Sequence, residues 1–196
     1  MPRLRFIDEK EKSPAARRLI EMAEQRGAPD WRVASIMARN PVAGLGWVEF
    51  WSKLLYEGVL PHRLKEMVRI RISVGHQCGY CSTVRSKVAN LSDAEVTEVL
   101  NISEKLGARE KAALRFADLF KSGEHAIDRD EVYAELKRHF SDEEIIELGM
   151  MCAQTDGVGR FVKSLNILSW DEACRLNPGL EKTSNSYASR SANHLP

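Results

Sequence analysis

The sequence predicts an all-α fold, and three observations carry that prediction. Helix-start and helix-stop residues recur along the whole chain. Between them, most apolar residues repeat at helical spacing. The one stretch that alternates like a strand has no convincing partner strand elsewhere, and a lone strand would leave its backbone groups unpaired. The expectation is a bundle of about seven to nine helices. It forms one domain over residues 13–180, between an N-terminal extension (1–12) and a disordered polar tail (181–196).

Each element has its own warrant. Ser13 and Pro14 set an N-cap followed by proline at the first helical position, and Gly27 stops that helix. Asp30 opens a second segment that reaches Asn40, where Pro41 interrupts. From Pro41 to Tyr56, Leu45, Val48, Trp51, Leu54 and Leu55 fall at helical spacing, and Gly58 follows. The ambiguous stretch is EMVRIRISV, where Val68, Ile70, Ile72 and Val74 alternate with Arg69, Arg71 and Ser73. A helix also fits through Leu64, Met67, Val68 and Ile72, and Pro61 favours a helix start, so a helix is expected. Three capping boxes follow: Ser92 with Glu95, Asp128 with Glu131, and Ser141 with Glu144. Arg109 to Phe120 puts Ala113, Phe116, Ala117 and Phe120 on one face. Residues 145–168 carry Gly149, Gly157 and Gly159, which reads as one helix with close backbone packing or as two helices with a break. The closing EKTSNSYASRSANHLP is polar throughout.

Composition narrows the function. With 29 Lys and Arg against 28 acidic residues, the net charge of +1 offers no electrostatic footprint for nucleic acid or an anionic membrane. No run approaches the ~18 apolar residues of a membrane span. The opening MPRLRFIDEKEK lacks the apolar core of a signal peptide. Four cysteines in 196 residues make no disulfide framework, so a cytoplasmic protein with reduced thiols is expected.

The chemistry concentrates in RISVGHQCGYCSTVRSK, which holds Cys78 and Cys81 with His76 just before them. A structural zinc site needs four ligands, usually as two close pairs, and only one pair is present, so no metal and no cofactor is expected. A thioredoxin-like dithiol needs a βαβ context, which a helical pattern does not supply. If a helix begins near Cys78, the thiols stand at i and i+3 on its first turn, where the thiolate is favoured. The plainer reading is two buried core thiols, the reading preferred for Cys152 inside LGMMCAQ. For the pair itself, composition and spacing leave both readings open.

The longer stretch LPHRLKEMVRIRISVGHQCGYCSTVRS resembles the carboxymuconolactone decarboxylase superfamily, and within it the AhpD-like alkylhydroperoxidases. LSDAEVTEVL, LGAREKAALRFADLF and FSDEEIIELGMMCAQTDGVGRFVKSLNI resemble that family's later helices, so the likeness covers roughly residues 30–170. It implies an AhpD-like helical domain in a homo-oligomer. It also implies reduction of a hydroperoxide, with the dithiol re-reduced by a partner protein or lipoyl group. By position, Cys81 matches the peroxide-attacking thiol, Cys78 the resolving thiol, and Glu66 the proton-relay glutamate. Two positions depart from the pattern. Arg85 stands where the family places a relay histidine, and Tyr80 stands where the full peroxidase has a histidine between the cysteines. Arg85, four residues after Cys81, would then sit one helical turn away as a fixed cation. His76 is the candidate to reach the site from the preceding loop, and His62 is expected to face solvent. Two other functions fit the same residues: a non-redox lactone decarboxylase-like enzyme, and a non-catalytic helical oligomer whose dithiol senses redox state. Large apolar side chains at Trp31, Trp47, Phe50 and Trp51 are candidate oligomer anchors.

Overall fold

The structure, a computed structural model, describes residues 1–25, 30–122, 126–177 and 179–180. Within them the chain forms a short 3₁₀ turn at Glu9–Glu11 and ten α-helices, with no strand. In chain order these are α1 (Pro14–Gln25), α2 (Trp31–Met37), α3 (Pro41–Tyr56), α4 (His62–Gly75) and α5 (Gly79–Thr83), followed by α6 (Asp93–Asn101), α7 (Ala108–Ser122), α8 (Asp130–Lys137), α9 (Asp142–Ser164) and α10 (Trp170–Leu176). The fold is all-α, as the sequence predicts. The excess over seven to nine helices comes from short ones such as α5 and α10. The stop at Gly27 and the tail 181–196 lie outside the described residues.

Local chemistry sets most of the boundaries. Ser13 Oγ accepts from the Ala16 N–H at 3.2 Å, Asp30 from the Arg32 N–H at 2.7 Å, and Asn40 from the Ala43 N–H at 3.3 Å. The boxes at Ser92/Glu95 and Ser141/Glu144 both form. The box expected at Asp128 does not. Helix α8 starts one residue later, with Arg129 as its N-cap and no side-chain cap. Sequence reading missed a box at Ser169/Glu172, which opens α10. Helix α9 runs unbroken through its glycines. Close packing is not their general role, because Gly149 and Gly157 have open space beside them and only Gly159 meets a neighbour, the His76 ring.

Helix α4 sits at the centre, which explains the alternating pattern that could pass for a strand. Nearly every side chain from Leu64 to Val74 is buried, so apolar residues appear on all its faces. Leu64, Met67, Val68 and Ile72 pack into a core with Ala113, Phe116 and Ala117 of α7 and Leu148 and Met151 of α9. Ile70 and Val74 point the other way, toward Val96, Leu100 and Ala173. Buried charges on α4 are paired, as burial demands. Arg71 donates to Asp118 at 2.6 and 2.7 Å and to the carbonyls of Val99 and Leu100. Lys65 pairs with Glu147 of α9, whose other carboxylate oxygen accepts from the N–H groups of Val59 and Leu60. Glu147 thereby welds the α3–α4 turn to α9. Gly58 in that turn has no room for a Cβ, which would run into the Glu147 carboxylate. Cys152 is fully buried in the core, and burial pushes its thiol pKa up.

Candidate active site

Helix α4 ends in a left-handed turn that delivers the cysteines. Gln77 takes φ 53°, the Cys78 N–H reaches back to the Ser73 carbonyl at 3.2 Å, and the Gln77 N–H to Val74 at 2.8 Å. This is the hydrogen-bond pattern of a Schellman stop, with glutamine in the place glycine usually fills. The chain emerges so that Cys78 becomes the N-cap of α5, its sulfur accepting from the Cys81 N–H at 3.2 Å. The cysteines therefore share the first turn with Cα atoms 5.3 Å apart, and they are joined as a disulfide. Helix α5 is pinned from behind. A Cβ on Gly79 would run into the carbonyl oxygens of Leu168 and Ser169 at the start of α10.

The two sulfurs differ in access. Cys78 is 1% exposed, whereas Cys81 is half-buried and lines a cavity of about 130 Å³. Apolar walls come from Val33 of α2, Trp47, Trp51 and Leu55 of α3, and Val158 and Val162 of α9. Glu66, Arg69, Ser73 and Ser86 bring polar atoms to the lining beside Cys81. Thr155 also lines it, and its buried hydroxyl has no hydrogen-bond partner among the described residues. No group of three or more His, Cys, Asp or Glu side chains among the described residues could hold a metal ion.

Arg69 organises this lining. Its Nε and Nη2 donate to the two oxygens of Glu66 at 2.6 and 2.8 Å, a bidentate pair three residues apart on α4. The remaining donors reach the carbonyls of Cys81 at 2.8 Å and Val84 at 2.7 Å. One guanidinium thus ties α4 to the middle and the C-terminal end of α5. Glu66 also accepts from the Ser86 N–H at 3.0 Å. Burial works to raise the Glu66 pKa, but the charge and hydrogen bonds of Arg69, the Ser86 N–H and the charge of Arg85 hold it below its ordinary value. Glu66 is therefore an ionised carboxylate.

The other candidates from the sequence are placed less simply. Tyr80 is buried, hydrogen-bonded to Asp30, and covered by the Arg32 guanidinium 5.2 Å from its ring centroid. Burial and the Asp30 charge push its phenol pKa up. Arg85 does not sit one turn from Cys81. Helix α5 ends at Thr83 and Val84 is extended, so Arg85 curls back onto the carbonyls of Ser82 and Val84. Burial and the neighbouring Arg69 lower its pKa to about 10, which leaves it cationic near neutral pH. His76 does not line the cavity. Its Nε2 binds Asp156 at 2.7 Å, and its ring lies against Gly159. His62, expected in solvent, is half-buried, stacked on Tyr56 and hydrogen-bonded to Ser86. Trp47 and Trp51, candidate oligomer anchors, wall the cavity.

Arg69 was hidden in the sequence by the alternating run, where it reads as a solvent-side residue. Its signal was the spacing to Glu66, i and i+3, which puts opposite charges on one helix face.

Comparison with known proteins agrees with this architecture. The chain superimposes on the apo crystal structure of the debrominase Bmp8 with a TM-score of 0.68 and 19% identity, covering 93% of this chain and 96% of that one. It also matches a cysteine-to-alanine variant of Bmp8 in complex with 2,3,4-tribromopyrrole, with a TM-score of 0.66 and 19% identity over 95% and 98% of the two chains. At that identity the likeness is one of fold. No curated protein sequence matches the chain. Residues 41–119, the stretch that holds Glu66, Arg69, both cysteines of the disulfide and Arg85, match the carboxymuconolactone decarboxylase family.

Proposed function

We propose that Cys78 and Cys81 form a redox dithiol that reduces small apolar hydroperoxides, as an AhpD-like peroxidase does. The observation that carries this reading is the asymmetry of the pair: one sulfur faces the cavity, and the other is buried at bonding distance behind it. In the reduced enzyme the Cys81 thiolate attacks the terminal oxygen of ROOH. The S–O bond forms, the O–O bond breaks, and the alkoxide leaves as ROH after taking one proton. The sulfenic acid on Cys81 then meets the Cys78 thiol, forming the disulfide and releasing water. A partner-protein dithiol or a lipoyl group returns two electrons and two protons. Tryptophan and aliphatic walls favour an organic hydroperoxide over hydrogen peroxide. Arg69 and Glu66 fix the turn that carries the nucleophile. The protein acts as a cytoplasmic homo-oligomer, without metal or bound cofactor, and independently of nucleic acid and membrane.

A second reading rests on the debrominase neighbours and the aromatic walls. The same dithiol could remove halogen from a flat aromatic ring, with Ar–Br and two thiols giving Ar–H, the disulfide and HBr. A non-redox decarboxylase-like activity and a redox-sensing oligomer without catalysis are the remaining alternatives. One experiment separates the peroxidase, dehalogenase and non-redox readings. Reduced protein is mixed with one equivalent of cumene hydroperoxide, hydrogen peroxide or a brominated pyrrole, and free thiols and bromide are counted. Rapid loss of two thiols with the organic hydroperoxide, reversed by a dithiol, is the expected result. Bromide release with thiol loss only on the brominated ring would transfer the assignment to dehalogenation. Thiols unchanged by all three reagents would overturn the redox reading.

A further inference from the structure

We infer that His62 and Ser86 form the proton relay of the dithiol site, taking the part that Arg85 cannot. The inference rests on the thiol chemistry proposed above and adds to it the group that moves the proton.

Hydrogen-bond geometry determines the tautomer. His62 Nδ1 lies 3.1 Å from the Leu55 carbonyl oxygen, which can only accept, so the ring proton resides on Nδ1. Nε2 is then a bare lone pair, and the Ser86 hydroxyl donates to it at 2.7 Å. This is the arrangement of a hydroxyl held by an imidazole whose far nitrogen is oriented by an acceptor. Both residues are fixed independently. The His62 ring stacks on Tyr56 at 4.8 Å between centroids, and the Ser86 N–H is anchored on Glu66 at 3.0 Å. Ser86 lines the same cavity as Cys81, whereas His62 stands behind it, so His62 acts through Ser86.

The other titratable groups near the disulfide are committed elsewhere. Glu66 is ionised and held by Arg69, Tyr80 is tied to Asp30, His76 binds Asp156 outside the cavity, and Arg85 is a lasting cation. The charges that face His62 are Lys65 and Glu66 on its own helix, with Glu147 of α9 paired to Lys65; Tyr56 covers it from α3 and Ser86 from the segment after α5. Burial leads Lys65 in lowering the imidazole pKa against the Leu55 hydrogen bond and Glu66, so the ring is neutral at pH 7.

The proton accounting closes. The Cys81 thiol proton passes to Ser86 Oγ as the serine proton moves to His62 Nε2, leaving a thiolate and an imidazolium. When the thiolate takes the distal oxygen, the departing alkoxide collects the proton from Ser86, which is refilled from His62. The relay ends as it began.

The test measures the second-order reaction of the reduced full-length protein with cumene hydroperoxide from pH 5 to 8. His62→Gln, Ser86→Ala and Ser86→Thr are compared with wild type, and each variant's melting curve is recorded. The wild-type rate should show an inflection matching the His62 titration seen by NMR. His62→Gln should lose that inflection and react about 100-fold more slowly at pH 7, and Ser86→Ala should behave likewise. Ser86→Thr, which keeps the hydroxyl, should recover most of the rate. Folded variants that keep the wild-type profile would overturn the relay alone. So would a wild-type inflection that does not follow the His62 titration, a result that needs no variant. A wild type that leaves the hydroperoxide untouched would overturn the relay together with the functional reading.

Discussion

Glu66 and Arg69 show how one residue pair can hold a site without reacting in it. Glu66 is buried and Arg69 nearly so, and their spare hydrogen bonds run to Cys81, Val84 and Ser86, so the integrity of the pair and the shape of the dithiol turn are one property. Because Glu66 has a folded pKa below its ordinary 4.5, its ionised form contributes stability that is fully present above 4.5 and lost as pH falls through the lower folded value. Glu66→Gln should therefore cost about 3 kcal/mol at pH 7, where it leaves a buried guanidinium underpaired. The same variant should lose less of its stability than wild type between pH 5 and 3, as denaturant melts at each pH would record. Equal acid sensitivity in the two proteins would mean that Glu66 is not the responsible carboxylate. At this scale the sequence was only partly legible. Cys78 and Cys81 stood out by spacing and Glu66 through the family resemblance, and the structure brings them together. Arg85 was misplaced because Val84 leaves the helix, and i+4 arithmetic holds only inside one. His62 was assigned to solvent and Ser86 passed over because their contacts span 20 to 24 residues, which no local pattern encodes, whereas the local i, i+3 signal of Arg69 was masked by the alternating run.

At the scale of elements, capping was the most legible feature and also the one that erred instructively. Ser141 accepts from the Glu144 N–H and Glu144 reciprocates, so α9 begins where the motif says. Asp128 carries the same motif, but the chain stays in a turn until Arg129. The motif supplies an acceptor, and whether the helix starts there depends on what the next turn packs against. Ser141→Ala should accordingly lower stability by about 1 kcal/mol, whereas Asp128→Ala should change it by less than about 0.5 kcal/mol. Comparable losses in urea melts would show that the Asp128 box forms in solution. The α4 ambiguity has a related cause. A helix wrapped on all sides loses its polar stripe, and with it the period that separates helix from strand. Only context settled it, and the structure agrees with context.

For the whole molecule, the exposed apolar surface bears on assembly. Phe50 of α3 and Ile146 and Met150 of α9 leave large apolar side chains exposed on two helices that pack together. Ile146 and Met150 lie one turn apart, so they form a stripe rather than scattered contacts. A homo-oligomer is expected by light scattering at micromolar concentration, and Ile146→Glu with Met150→Glu should shift it toward monomer. A wild-type monomer would remove the case for these side chains as an interface. The unequal depth of the two sulfurs has a further consequence, for whoever re-reduces the protein. With Cys78 sealed beneath α5, and α5 backed against α10, an incoming thiol can strike only the Cys81 sulfur and expel Cys78. A mixed disulfide trapped with a small monothiol should map to Cys81 alone, by peptide mass. On the dithiol chemistry proposed above, the girth of an electron donor should therefore set how fast it re-reduces the protein. A small, slim dithiol should reduce the disulfide faster than a broad-faced reductase, a comparison that thiol counts over time would record.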